Sequence, residues 1–493
     1  MPNLSKSRFQ SGLQCLKRLY LECYSRDLAD PIDPATQAIF DSGTAVGEKA
    51  RLRFPGGWLV EESHLEHDRA IATTQPLLGD PSIPALYEAA VNFQGIRARF
   101  DILVRKDGQV FDLVEVKSST GVKEEHYTDV AVQLYAAEGS GIAIDRAYLM
   151  HINNAYVYQG GEHDLEQLFT LADVTETARN YVAERMAGDL DEMWATLDLD
   201  NPPDIDTGKH CKAPYTCSFF GHCHRSEPEH PVRHLPGLRD NLWVRLKALG
   251  IEHIGNIPQD LSGLNALQQR VRNSVADRHA YVDPGLGTSL GQIVFPASFV
   301  DFETISPALP LYPGTRPYEK VPFQWSLHLL DESGDLTHEE FLNPDGEDPR
   351  ERFASSLLEA VPSEGSIVTY HSYEKTILEG LAGALPEYRE PLLALTGRIV
   401  DLLKVVRDGY YHPQFHGSFS IKAVLPALVP GMGYGELEVQ EGMAASAAYV
   451  RLVVGDVPAE EVAKVRDDLL AYCQRDTEAM VLVYRALLDA AGG

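Results

Sequence analysis

Arg99-Phe100-Asp101-Ile102-Leu103-Val104, the turn Lys106-Asp107-Gly108, and then Phe111-Asp112-Leu113-Val114-Glu115-Val116-Lys117-Ser118-Ser119-Thr120 read as two strands joined by a tight reversal. Working outward, Ala89–Phe93, Ile96–Arg105 and Gln109–Lys117 form a meander. Glu115 and Lys117 lie two apart on one strand, so their side chains leave the same face. Asp101 stands on the strand before. Two carboxylates beside an ammonium group can hold a divalent cation and orient or polarise an attacking water. The bland alternative is a solvated strand with a weak Glu–Lys ion pair.

Around this core the pattern continues with helices at Tyr127–Ala137 and Leu165–Met186, after a basic helical start that carries Lys6, Arg8, Lys17 and Arg18. Four of the six cysteines bracket the segment. Cys15 stands near its beginning, and Cys211, Cys217 and Cys223 follow with five residues between neighbours. Six cysteines in 493 residues do not make a disulfide framework, and a clustered set points to metal. Cys23 and Cys473 read as buried or incidental thiols.

The strand pair, the Asp101…Glu115-Val116-Lys117 set and Gln133 in Asp129-Val130-Ala131-Val132-Gln133-Leu134-Tyr135 resemble the PD-(D/E)XK nucleases. The resemblance covers about residues 4–225 and is to the RecB-like branch that includes the CRISPR-associated iron–sulfur exonucleases. It implies a restriction-endonuclease-like α/β domain in which Asp101 and Glu115 bind Mg²⁺ or Mn²⁺, Lys117 polarises water or phosphate, and Gln133 positions the substrate. It also implies a 4Fe–4S cluster clipped by Cys15, Cys211, Cys217 and Cys223. Zinc on the same thiolates is the alternative, with His222 or His224 as substitute ligands. Two features depart from the family. The cysteine spacing differs, and Gly43-Thr44-Ala45-Val46 is followed by Gly47 where relatives place a metal-binding histidine, which leaves Glu48 as a substitute.

Residues 226–292 read as a helical segment. Leu246-Lys247-Ala248-Leu249-Gly250-Ile251 followed by His253-Ile254-Gly255-Asn256-Ile257 suggests a helix, glycine turn and helix, similar to the helix-hairpin-helix modules that grip DNA phosphates. A third segment, 293–493, opens with a strand over Ile293–Val300. Phe299-Val300-Asp301-Phe302-Glu303-Thr304 puts two carboxylates on one strand face, and Tyr472-Cys473-Gln474-Arg475-Asp476 puts a tyrosine and a carboxylate on one helix face. Together with Glu374 in His371-Ser372-Tyr373-Glu374, and with Gly397-Arg398-Ile399-Val400-Asp401-Leu402 and Gly417-Ser418-Phe419-Ser420-Ile421-Lys422, these resemble the DEDD exonucleases on an RNase H-like fold. The resemblance implies metal binding by Asp301, Glu303, Glu374 and Asp476, with Tyr472 aiming the water. Relatives carry Asn and then Asp where this chain offers Glu374.

The expected architecture is therefore α/β in three parts: an iron–sulfur nuclease domain at 1–225, a helical middle at 226–292 and an exonuclease-like domain at 293–493. The joint expectation is a metal-dependent nuclease, an exonuclease on single strands or ends in repair or in defence against foreign DNA, with nucleic acid, DNA before RNA, as its partner. A non-catalytic nucleic-acid scaffold and an RNA-directed enzyme with one active site are the alternatives. A net charge of −29 opposes phosphate binding over the surface at large. No apolar run approaches the length needed to cross a bilayer, and the first residues lack a signal-peptide core, so a cytoplasmic location is expected.

Overall fold

The computed structural model describes residues 2–492, and the chain is a mixed α/β protein that divides into two compact units. The first comprises 1–226 with 307–319. The second comprises 227–306 with 320–493, so the helical middle belongs to the same unit as the C-terminal segment. Among the described residues no helix is long and apolar enough to cross a membrane.

In the first unit the strands Ala85–Phe93, Ile96–Asp107 and Val110–Lys117 run antiparallel in sequence. The first reversal is the two-residue loop Gln94-Gly95. Both residues take positive φ, which matches the right-handed twist of the paired strands. The helix Glu124–Gly139 then crosses over, so that Ala143–Ile152 returns parallel to Val110–Lys117. The stretch Val130–Ala137 of this helix is apolar apart from Gln133 because it is buried between the sheet and neighbouring helices. Trp58–Leu59 and Phe169–Asp173 close the edges, and Leu4–Ser5 adds a short parallel pairing beside Ile96.

Two local expectations are corrected here. Leu165–Met186 is not one helix. A helical turn at Leu165–Leu168 leads into the strand Phe169–Asp173, and a helix restarts at Thr175 where Asp173 accepts from the Thr175 amide at 3.0 Å. The aromatic Phe169 and β-branched Thr170 favour an edge strand, and the Asp173 side chain supplies the local cap. The basic start is also two helices, Lys6–Gln14 and Leu16–Tyr24, separated by an extended Cys15.

The second unit holds a five-stranded sheet in the order Leu336–Leu342, Val321–Leu330, Ala297–Ile305, Ile367–Thr369, Ile399–Asp401. The first three are antiparallel and the last two join in parallel. The opening strand starts at Ala297, four residues later than Ile293. On one face Val300 and Phe302 pack with Trp325, Phe353 and Leu357. The other face, which carries Asp301 and Glu303, meets the long helix Val462–Gly492.

In the middle segment the helix Asp240–Ala248 and the glycine turn at Gly250 are present, but the expected second helix is one 3₁₀ turn, Ile254–Asn256. Pro258 explains this, since the residue before a proline is pushed out of the α region. The next helix begins only at Ala266 and runs to Asp277.

Candidate metal centres

Asp301, Glu303 and Asp476 each offer a carboxylate oxygen, and these oxygens all lie within 4.8 Å of one another. Among the described residues this is the only such group of three or more His, Cys, Asp or Glu. Its geometry follows from how the long helix is fastened to the sheet. The Thr477 hydroxyl meets the Ser326 hydroxyl at 2.7 Å and His328 Nδ1 at 2.8 Å, while Gln324 Nε2 donates to the Leu469 carbonyl at 2.8 Å. That register turns Tyr472 and Asp476, one turn apart, toward Asp301 and Glu303. The Cys473 thiol also lies on this face, 3.6 Å from Asp301 Oδ2, so it is buried against the site rather than incidental.

Glu374 enters at the start of the helix Tyr373–Ala384, 5% exposed, and its Oε2 has no hydrogen-bond partner. Burial, then the charge of Asp401 and Asp476, pushes its carboxyl up to about 8. Burial likewise lifts Asp476, to about 6, even though hydrogen bonds from Tyr434 and Tyr472 and the charge of Lys422 favour its ionised form. Asp301 and Glu303 are raised too, by burial first and then by each other's neighbourhood of carboxylates. Asp301 is the one member partly open to solvent. Four carboxylates packed in this way repel one another, and the donor set fits hard divalent cations, which take oxygen ligands and would relieve the repulsion.

Two side chains on this site were not singled out from the sequence. The Tyr434 hydroxyl donates to Asp476 Oδ1 at 2.5 Å from a loop without regular structure. Lys422 Nζ sits 5.3 Å from both the Tyr434 and Tyr472 ring centroids. Lys422 was visible only as the end of a motif, and nothing in the local pattern marks Tyr434.

In the first unit Asp101, Glu115, Lys117 and Gln133 also converge, but the balance of charge differs. Glu115 accepts from Lys6 Nζ at 2.6 Å, Lys117 Nζ at 3.0 Å and Gln133 Nε2 at 2.6 Å. Burial opposes its charge, yet Lys6 and Lys117 outweigh burial and hold Glu115 well below the usual carboxylate range. Burial works against Lys6 as well, and Glu115 with Asp101 overcomes it to push the ammonium up to about 12. Lys117 also contacts Asp129. Asp101 accepts from the Val116 amide at 2.7 Å and is raised to about 7 by burial and then by Glu115. Glu48 is exposed, and Glu88 rather than Glu48 adds to the field at Asp101. The sequence pattern shows Lys6 only as part of the basic start and hides its contact with Glu115, which lies 109 positions away.

Cys15, Cys211, Cys217 and Cys223 all line one cavity of the first unit, with Lys17 and Arg18. The Gly208 amide points to Cys211 Sγ and the Phe219 amide to Cys217 Sγ, each at 3.4 Å. Burial pushes the Cys217 thiol up to about 11, while Arg18 favours its thiolate and Lys17 does the same for Cys223. Amide donors and cations around four converging sulfurs fit a thiolate-bound metal group. His222 and His224 are engaged elsewhere. His222 Nδ1 faces Arg225 Nη1 at 3.1 Å, and His224 bonds the Phe220 carbonyl at 2.7 Å.

Comparison with other proteins adds two findings. Residues 298–420 match a family described as Domain of unknown function (DUF2779), a stretch that includes Asp301, Glu303, Glu374 and Asp401. The chain is also 25% identical over 215 residues to the uncharacterized protein MG366 of Mycoplasma genitalium (strain ATCC 33530 / DSM 19775 / NCTC 10195 / G37). That similarity takes in 39% of this chain and 32% of the relative.

Proposed function

We infer that the protein is a metal-dependent phosphodiesterase acting on nucleic acid, with its principal site at Asp301, Glu303, Glu374 and Asp476. The observation that carries this reading is that Asp301, Glu303 and Asp476 bring carboxylate oxygens within 4.8 Å of one another, with Glu374 buried beside them, and that no lysine or arginine among the described residues hydrogen-bonds any of the four. Bound divalent cations would activate water and offset charge growing on the phosphate. The protein's own residues then have separate tasks. The four carboxylates hold the cations, and Tyr472, one turn from Asp476, aims the attacking water. Tyr434 fixes the Asp476 rotamer through its hydrogen bond. Lys422 supplies positive potential at the rim between the two tyrosine rings. The resemblance of this half to DEDD exonucleases on an RNase H-like fold agrees with this division, and DNA is the expected substrate.

The first unit is the second candidate site, in the PD-(D/E)XK arrangement, with Asp101 and Glu115 as ligands, Lys117 beside the phosphate and Gln133 holding Glu115. Lys6 and Lys117 already balance Glu115, so this centre has less need of a cation than the other. The four thiols favour a 4Fe–4S cluster over zinc. The resemblance of this half to the iron–sulfur members of the RecB-like branch supports the cluster. Labelled single-stranded DNA incubated with Mn²⁺ tests the assignment. Asp301→Asn is expected to abolish degradation and Glu115→Gln to reduce it less. Binding without cleavage by the unsubstituted protein under Mg²⁺ and Mn²⁺ would leave a nucleic-acid scaffold instead.

A further inference from the structure

The second unit contains a groove between the helices Ala266–Asp277 and Leu402–Gly409. The two helices are tied together locally. Tyr281–Val282 pairs with Tyr410–Tyr411, the Asp283 amide donates to the Gly409 carbonyl at 2.8 Å, and Arg270 Nη1 donates to the Arg407 carbonyl at 2.7 Å. Arg270, Lys404 and Arg407 line the groove, together with His371, Asp401 and Asp408.

Three cations against two carboxylates on one concave surface run counter to a chain of net charge −29. Lys404 and Arg407 are exposed, lie three apart on one helix face, and make no ion pair or side-chain hydrogen bond with any described residue. Asp401 is already occupied in capping its helix, accepting from the Lys404 amide at 3.1 Å. The groove also adjoins the carboxylate pocket. Asp401 pairs with Thr369 on the strand beside Ala297–Ile305, which carries Asp301, and His371 stands three residues before Glu374, just ahead of the helix Tyr373–Ala384. Within that pocket Glu303, Glu374 and Asp476 are buried, so a scissile phosphate has to reach a recess that a paired duplex fits poorly.

We propose that this groove is the path of a single nucleic-acid strand into the carboxylate pocket, with Arg270, Lys404 and Arg407 contacting phosphates upstream of the one that is cut. The proposal rests on the phosphodiesterase reading of the pocket and adds to it the surface that receives the strand over several nucleotides. An acidic protein segment would also be drawn to three cations, but the neighbouring cation-binding pocket favours phosphodiesters.

The test uses the full-length chain carrying Asp301→Asn, in EDTA, titrated with fluorescein-labelled dodecathymidylate by anisotropy across a salt series. Adding Lys404→Glu and Arg407→Glu is expected to weaken binding at least about tenfold. It should also make the slope of log K against log salt shallower by about 1.4, since each contact to a single strand contributes about 0.7. Lys404→Gln with Arg407→Gln reads the same contacts should the charge reversal unfold. Arg389→Glu, an exposed reversal outside the groove, should leave the slope where it was. Unchanged affinity and slope in the groove variants overturn the proposal. So does displacement of the oligonucleotide by polyglutamate at equal charge concentration. Groove-dependent binding with no hydrolysis by the unsubstituted protein keeps the strand path and rejects the phosphodiesterase reading.

Discussion

Glu374→Gln should stabilise the metal-free protein at alkaline pH, although it removes a residue of the proposed active site. Glu374 is buried, its Oε2 has no hydrogen-bond partner, and burial with the charges of Asp401 and Asp476 lifts its carboxyl from 4.5 to about 8. A raised acid binds more protons in the folded than in the unfolded chain, so stability falls as pH climbs. The penalty is absent below 4.5, grows across the window, and is complete above about 8. At about 1.4 kcal/mol per pH unit, that window sets a ceiling on the order of 5 kcal/mol. Titration shared with Asp476 and local relaxation bring the expected gain at high pH to about 2 kcal/mol. A Coulomb check agrees in scale, because two unit charges about 5 Å apart at an effective dielectric of about 20 repel by about 3 kcal/mol. Glutamine keeps the volume and removes the charge. Urea unfolding in EDTA, followed by tryptophan fluorescence from pH 4.5 to 9, reads the difference. Trp325→Phe assigns the transition, since Trp325 is buried in the second unit's core. The variant should match the parent at the acid end and diverge upward toward the alkaline end. Saturating Mn²⁺ should invert the order, because the cations need the lost charge. Curves that stay parallel across the whole range would sink the claim that these carboxylates are mutually repelling and unneutralised.

Tyr472→Phe keeps the ring beside Lys422 and removes the hydroxyl, so kcat should fall about a hundredfold with Mn²⁺ affinity by calorimetry little changed. Lys6→Met takes one of two ammonium groups from a glutamate whose side chain is 1% exposed, and should cost the first unit about 2 kcal/mol in urea unfolding at neutral pH. An undiminished midpoint would mean Lys117 and Gln133 suffice. Anaerobic reconstitution with iron and sulfide should give a brown protein with broad visible absorption that Cys217→Ser loses. A colourless product holding one equivalent of zinc would assign the thiols to the smaller ion.

What could be read from the sequence was what repeats at short range. Alternation and a glycine turn place Asp101 and Glu115 on adjacent strands, and a spacing of four puts Tyr472 and Asp476 on one helix face. Edges defeat such reading. Phe169–Asp173 sits in a stretch whose apolar spacing also suits a helix, and only pairing with Ala143–Ile152 makes it a strand. Contacts between distant parts of the chain leave no periodic trace at all, which is why Lys6 on Glu115 and Tyr434 on Asp476 went unseen. Those two hidden residues matter most for chemistry, because they set the charge state of each site. In the first unit an ammonium from the chain's first helix meets the glutamate and lowers its demand for a cation. In the second a tyrosine hydroxyl brings a hydrogen bond and Lys422 offsets only part of the charge, so burial keeps the carboxylates raised. Two pockets of similar sequence signature thus differ in the one property that decides where a divalent cation binds. The difference predicts that metal dependence will track Asp301 more closely than Asp101.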